Sequence, residues 1–230
     1  MAIDAVLFDF SGTVFRLEDD WRWADELVGD DGVPFDVAAK AEVLRRMTAP
    51  VAQFMSFDAV GQHAWDNRDL DPALHRHAYL EVLRGSGVPA ANADGLYARL
   101  IDPLAWTPYP DTGTVLESLA AQGIPIAIVS NIAFDIRPAF DAHGWTDLIG
   151  SMTLSYEVGA MKPNPRIFRD ATDRLGVDPE RVLMIGDSAE ADGGATALGA
   201  RFALVEALPT AERPRALLDV LAANGLVTAP

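Results

Sequence analysis

The chain has 230 residues, half of them apolar and 23% charged, enough to bury one large core or a core with an insert. It contains no cysteine, which excludes disulfides, thiol catalysis and cysteine metal sites. A formal net charge of -16 argues against nucleic acid or an anionic membrane as a broad-surface partner. A small anionic substrate stays possible, because a metal ion or a buried cation can invert the field locally.

The first apolar run, "AVLFDF", follows an N-terminus with no basic region and reads as a strand, not as a signal peptide. It delivers an acid, Asp9, and breaks at once into Ser11-Gly12-Thr13. From Phe15 to about Gly87 no strand-like run occurs. Amphipathic helical patterns replace it: "DVAAKAEVLRRM" places Val37, Ala41 and Leu44 on one face, and Asp71-Pro72 opens a second helix. The expected division is a core of residues 1–15 and 88–230 with a helical cap at 16–87.

Beyond the cap, strands and helices alternate. Asp111 is placed to cap a helix bearing Val115, Leu116 and Leu119, which Gly123 ends. Four further apolar runs follow: "IPIAIVSN", "GSMTLSYE", "RVLMIGDS" and "RFALVEA". A helix from Asn164-Pro165 to Leu175-Gly176 lies among them, and helices are expected after "GDS" and in "AERPRALLDVLAANG". Runs that are apolar throughout, without alternation, suit parallel strands buried on both faces. The fold class is α/β: a doubly wound parallel sheet with an inserted α-helical cap. No apolar run approaches the roughly 18 residues of a membrane span, so a cytoplasmic protein is expected.

Ligands of an open parallel sheet collect at the carboxyl ends of its strands. There the sequence places Asp9, Ser11 and Thr13, then Ser130 and Asn131, Lys162, and Asp187 with Asp192. Lys162 and Lys40 are the only lysines of the chain. Carboxylates gathered at one edge repel unless a hard cation neutralises them, and oxygen ligands of this kind suit Mg²⁺.

The four segments "DFSGTVF", "IVSN", "MKPNP" and "GDSAEAD", in that order, resemble the motifs of the haloacid dehalogenase-like hydrolase superfamily. The likeness implies a nucleophilic Asp9 that forms an aspartyl-phosphate. It implies Mg²⁺ held by the Asp9 side chain, the backbone carbonyl of Ser11 and the Asp187 side chain, with Asp192 ordering the metal's water shell. Ser130, the Asn131 amide and Thr13 would contact phosphate, while Lys162 would neutralise Asp9 and the transferring group. The implied partner is a small phosphorylated substrate, with the chain a monomer or homodimer.

One position departs from the phosphatase pattern. The acid expected two residues after the nucleophile, which protonates the leaving group and then activates water, is replaced by Ser11. Loss of such help typically costs a factor of about 10² to 10⁴. Three outcomes follow. A cap acid, with Glu18, Asp19, Asp20 and Glu26 as candidates, or a good leaving group could compensate, which makes a weak or narrowly specific hydrolase the expected outcome. The chemistry could differ, either a phosphonatase using Lys40 as a Schiff base or a metal-free dehalogenase. Or the chain could bind a phosphorylated ligand without turnover. His63, His75, His77, Trp21, Trp23 and Trp65 are read as packing or surface residues of the cap.

Overall fold

The computed structural model describes residues 2–18, 27–29, 32–48 and 55–226. Its strands are β1 (Ala5–Phe8), β2 (Phe15–Arg16), β3 (Thr107–Pro108), β4 (Ile126–Ser130), β5 (Ser151–Leu154), β6 (Val182–Gly186) and β7 (Arg201–Leu204). Five of them form one parallel sheet in the order β5-β4-β1-β6-β7, and these are the five apolar runs of the sequence. β2 and β3 pair antiparallel as a separate two-residue ribbon.

Between the arms of that ribbon run four helices: α1 (Val37–Thr48), α2 (Ala59–Asp66), α3 (Pro72–Gly85) and α4 (Ala90–Leu100). α3 begins as its sequence predicts, with the Asp71 carboxylate accepting from Ala73 N at 2.7 Å and Leu74 N at 3.3 Å. α1 differs from expectation. Val37 is 73% exposed, and the buried side chains are Val43, Leu44 and Met47, all in the second half of the helix. α4 lies beyond Gly87 and packs on α3 through Ala93, Leu96, Tyr97 and Leu100, so the helical stretch is longer than its sequence pattern suggests.

The remaining helices are α5 (Thr112–Ala121), the short α6 (Arg137–Asp141) and α7 (Ser155–Val158), α8 (Pro165–Leu175) and α9 (Ala216–Ala223). They explain why the strands are apolar at every position. Val6 and Phe8 of β1 share one cluster with Leu116 and Leu119 of α5 and Leu217 and Leu221 of α9. Ala5 and Leu7 point the other way, into a cluster with Ile167 and Phe168 of α8. Both faces are therefore dry.

One local expectation is corrected and two are narrowed. Asp111 makes no side-chain cap on α5; its Oδ2 accepts from Leu217 N at 2.8 Å and Leu218 N at 3.1 Å. The open amides of α9's first turn are brought to it by the fold, and they win over its own helix. The segment after Asp187-Ser188 is a 3₁₀ helix, Asp192–Leu198, in keeping with the poor α propensity of Gly193-Gly194. In the tail only Ala216–Ala223 is α-helical, because Pro214 disfavours a helical residue before it.

β1 sits at the centre, paired with β4 on one side and β6 on the other. The chain order reverses there, which opens a crevice at the strands' carboxyl ends. The register sets Phe8 level with Ile128 and Ile185, so Asp9 emerges beside the ends of both neighbours. Among the described residues no helix is long and apolar enough to cross a membrane.

Candidate active site

Asp9 leaves β1 buried, its main-chain amide donating to Ile185 O at 2.9 Å. Lys162 reaches it from the loop before α8. The Lys162 ammonium donates to Asp9 Oδ1 at 2.6 Å, Asp192 Oδ1 at 2.6 Å and Val129 O at 2.9 Å. Those three bonds use its full complement of donors. Burial alone would pull the Lys162 ammonium down, but the Asp9 and Asp192 carboxylates outweigh it and hold the charge above the usual lysine range.

The acids feel the opposite balance. Burial pushes Asp9 up to about 7 against the pull of Lys162, with Asp192 and Asp187 adding to the rise. Burial and then Asp192 likewise raise Asp187 to about 6. One oxygen from each of Asp9, Asp187 and Asp192 falls within 4.8 Å of the others. Three carboxylates against one ammonium leave negative charge uncompensated, and a second cation is the electrostatic answer.

The donor set fits a hard divalent cation. It offers hard carboxylate oxygens, with Asp187 partly open to solvent, where a metal keeps its waters. Asp192 is the least free of the three: Oδ1 holds Lys162 and Oδ2 accepts from Ser188 N at 2.9 Å. Gly186 is shaped to this arrangement, since a Cβ there would lie 2.1 Å from Asp192 Oδ2.

The loop after Asp9 is tightly determined. Thr13 Oγ1 donates to Asp9 Oδ2 at 3.3 Å, and Gly12 N donates to Phe15 O at 2.7 Å. Gly12 has φ +74°, and a Cβ on it would come 2.4 Å from Asp187 Oδ2, so backbone conformation and space both demand glycine. Arg213, buried in the C-terminal segment, holds this loop from behind. Its Nη1 donates to Gly12 O at 2.7 Å, its Nη2 donates to Thr13 O, and its guanidinium lies 3.1 Å from the Tyr109 ring centroid. Sequence reading missed Arg213; only a tertiary contact over 201 residues distinguishes it from other arginines.

Asn131 clamps the lysine loop. Its side chain donates to Lys162 O at 3.0 Å and accepts from Lys162 N at 2.7 Å. Ser130, the last residue of β4, is buried beside it. The eight residues singled out from sequence thus converge from four segments: Asp9 to Thr13, Ser130-Asn131, Lys162, and Asp187 to Asp192.

Ser11 lines a cavity of about 240 Å³ together with Asn131 and Phe134, which follow β4, and Asp69, His75, Tyr79 and Trp106, from the segment between β2 and β3. Of the histidines, His75 is buried with Nδ1 2.9 Å from Tyr97 Oη, whereas His77 on the same helix faces Glu81. Trp65 packs, stacked on Phe57 and covered by the Arg68 guanidinium 4.2 Å from its ring. Glu18 is held away, accepting from Thr210 N at 2.7 Å. Lys40 of α1 is not among the described residues lining the cavity. Asp19, Asp20, Glu26, Trp21 and Trp23 lie outside the described residues.

A doubly wound parallel sheet with an acid-lysine centre at the carboxyl end of its central strand is the fold and site of a Rossmann-like enzyme core. The chain belongs to the haloacid dehalogenase-like hydrolases, whose family profile matches residues 3–198. A mouse haloacid dehalogenase-like hydrolase domain-containing protein 3 is 32% identical over 132 residues, 55% of this chain and 53% of the relative. A phosphoserine phosphatase of Thermus thermophilus is 32% identical over 49% of this chain and 46% of its own length. The chain thus spans about half the length of these curated relatives. Phosphatase MT3486 of Mycobacterium tuberculosis is 26% identical over 90% of the chain and 88% of the relative. A dehalogenase of known structure superposes at a TM-score of 0.68 over 96% of both chains with 23% identity, a likeness of fold.

Proposed function

We propose that this hydrolase is a Mg²⁺-dependent phosphatase that acts on a small phosphorylated metabolite through an aspartyl-phosphate on Asp9. The observation that carries the reading is the 2.6 Å bond from Lys162 to Asp9 beside a partly open Asp187. It supports an anionic nucleophile screened for attack on an anionic phosphoryl group, where catalysis is mostly positioning and electrostatics. Relatives named phosphoserine phosphatase and glyceraldehyde 3-phosphate phosphatase support the substrate class.

In this reading Asp9, the Ser11 carbonyl and Asp187 would hold the metal, which would supply charge neutralisation at the phosphoryl oxygens. Lys162 keeps Asp9 ionised and oriented. Asp192, occupied by Lys162 and Ser188 N, fixes the lysine and would help order the water of a bound metal. Ser130, the Asn131 amide and Thr13 receive the phosphate. The helical insert, which we bound by the β2–β3 ribbon and so extend through α4, covers the leaving group. The cavity is smaller than the roughly 300–1,000 Å³ of ordinary ligand sites, which favours a small metabolite. Lys40 is not among the described residues that line that cavity, which disfavours the Schiff-base alternative.

Hydrolysis of p-nitrophenyl phosphate with and without Mg²⁺, by wild type and Asp9→Asn, tests the proposal. Metal-dependent turnover that Asp9→Asn abolishes is the expected result. Equal inertness of both proteins, with phosphate still bound, would leave a binding protein in its place.

A further inference from the structure

Ser11 cannot serve as a proton donor or acceptor near neutral pH, so the fold must find that function elsewhere or do without it. We infer that Asp69, from the helical insert, is the general acid and base of this site. The inference rests on the phosphatase reading above.

Asp69 lies in the 3₁₀ turn Arg68–Leu70, between α2 and α3, and lines the cavity that also contains Ser11 and Asn131. It is the one carboxylate among the described residues of that lining. Its carboxyl makes no hydrogen bond among the described residues; the nearest cation is the Arg68 guanidinium, a loose 3.9 Å contact to Oδ2. Glu18 offers a contrast, its carboxylate being committed to Thr210 N and Arg16. An acid lining a cleft, its oxygens uncommitted among the described residues, is placed to exchange a proton with whatever fills the cleft.

The turn is also held against the catalytic edge. Ser155 Oγ, at the start of α7, donates to Asp69 O at 2.5 Å and accepts from Ile132 N at 2.9 Å. Ile132 follows Asn131, so one hydroxyl ties the Asp69 main chain to the loop that faces the phosphate. Arg68 is fixed on its other side, donating to Trp65 O at 2.7 Å. The acid is thus mounted on a braced turn of the insert. Burial raises its carboxyl above the ordinary range, against the lowering influence of Arg68 and of Lys162, and Lys162 is therefore near enough to be felt. A raised carboxyl keeps its proton into the range where a donor is needed.

The proton balance closes over two steps. Asp9 attacks phosphorus; the bond from phosphorus to the leaving oxygen breaks, and that oxygen takes the proton of the Asp69 carboxylic acid. Water then attacks the aspartyl-phosphate and gives a proton to the Asp69 carboxylate, the bond from phosphorus to Asp9 breaks, and phosphate leaves. Asp9 is again a carboxylate and Asp69 again an acid.

The test uses p-nitrophenyl phosphate, whose leaving group departs without a proton, so that only the second step still needs Asp69. In stopped flow with Mg²⁺, Asp69→Asn should release about one equivalent of nitrophenolate rapidly. It should then turn over about 10² to 10⁴-fold more slowly than wild type, with a phosphoryl group retained on the protein by intact mass. Asp69→Glu should recover part of the steady rate. Steady turnover of Asp69→Asn equal to wild type, while Asp9→Asn is dead, would overturn the role of Asp69 and leave the phosphatase standing. A folded Asp69→Asn without a burst would also overturn it, since the defect would then precede acyl-phosphate hydrolysis. If wild type itself forms no phosphoryl enzyme and no product, the phosphatase reading fails and the role of Asp69 with it.

Discussion

Lys162 and Asp9 are 153 residues apart in sequence and meet at 2.6 Å, both side chains buried. The same ammonium holds Asp192 at an equal distance. Removing one partner of a buried pair strands the other as an uncompensated charge, at about 3–5 kcal/mol. Lys162→Met is therefore expected to be strongly destabilised as well as inactive, and Lys162→Met/Asp192→Asn less destabilised than the single variant. Urea unfolding of both measures this; a single variant as stable as wild type would show that the pair contributes nothing.

Metal binding should stabilise the fold. Excess negative charge from Asp9, Asp187 and Asp192 is relieved when a cation binds, and a ligand at a hundred times its dissociation constant adds about 2.7 kcal/mol. Millimolar Mg²⁺ is expected to raise the melting temperature of wild type, and Asp187→Asn to lose that shift. An unmoved wild-type melting curve would count against a metal at this cluster.

Ser11→Asp should increase phosphomonoester turnover, because it returns an acid to the place beside the nucleophile. The increase should be greatest in an Asp69→Asn background, where about 10²-fold is recovered. A folded double variant with no recovery would mean that proton transfer is not what limits this site.

His75 makes stability depend on pH. Burial, and then Arg68, lower its imidazole from the ordinary 6.5 to about 3 in the folded protein. Between those values the unfolded chain binds more protons than the folded one. The contribution is thus complete above 6.5 and is lost as pH falls toward 3. From pH 7 to pH 5 the loss from this residue is about 2 kcal/mol. Urea midpoints of His75→Gln should fall less steeply over that interval; parallel slopes would remove His75 as the cause.

Sequence alone determined the five parallel strands and the capped start of α3, and it singled out Asp9, Ser130, Asn131, Lys162, Asp187 and Asp192 as groups gathered at the strands' carboxyl ends. The physical reason is local: a strand covered on both faces must be apolar at each position, and polar groups open to a ligand stand where such strands end. The tertiary structure alone decided the rest. Asp111 reads as the cap of its own helix until α9 arrives with open amides. Arg213 and Asp69 carry no signal in spacing or periodicity. One becomes the brace of the Gly12 loop, and the other becomes a cleft acid, only when distant segments pack. Charge neutralisation and proton supply depend on what a fold brings within a few ångströms, and one-dimensional pattern does not encode that distance.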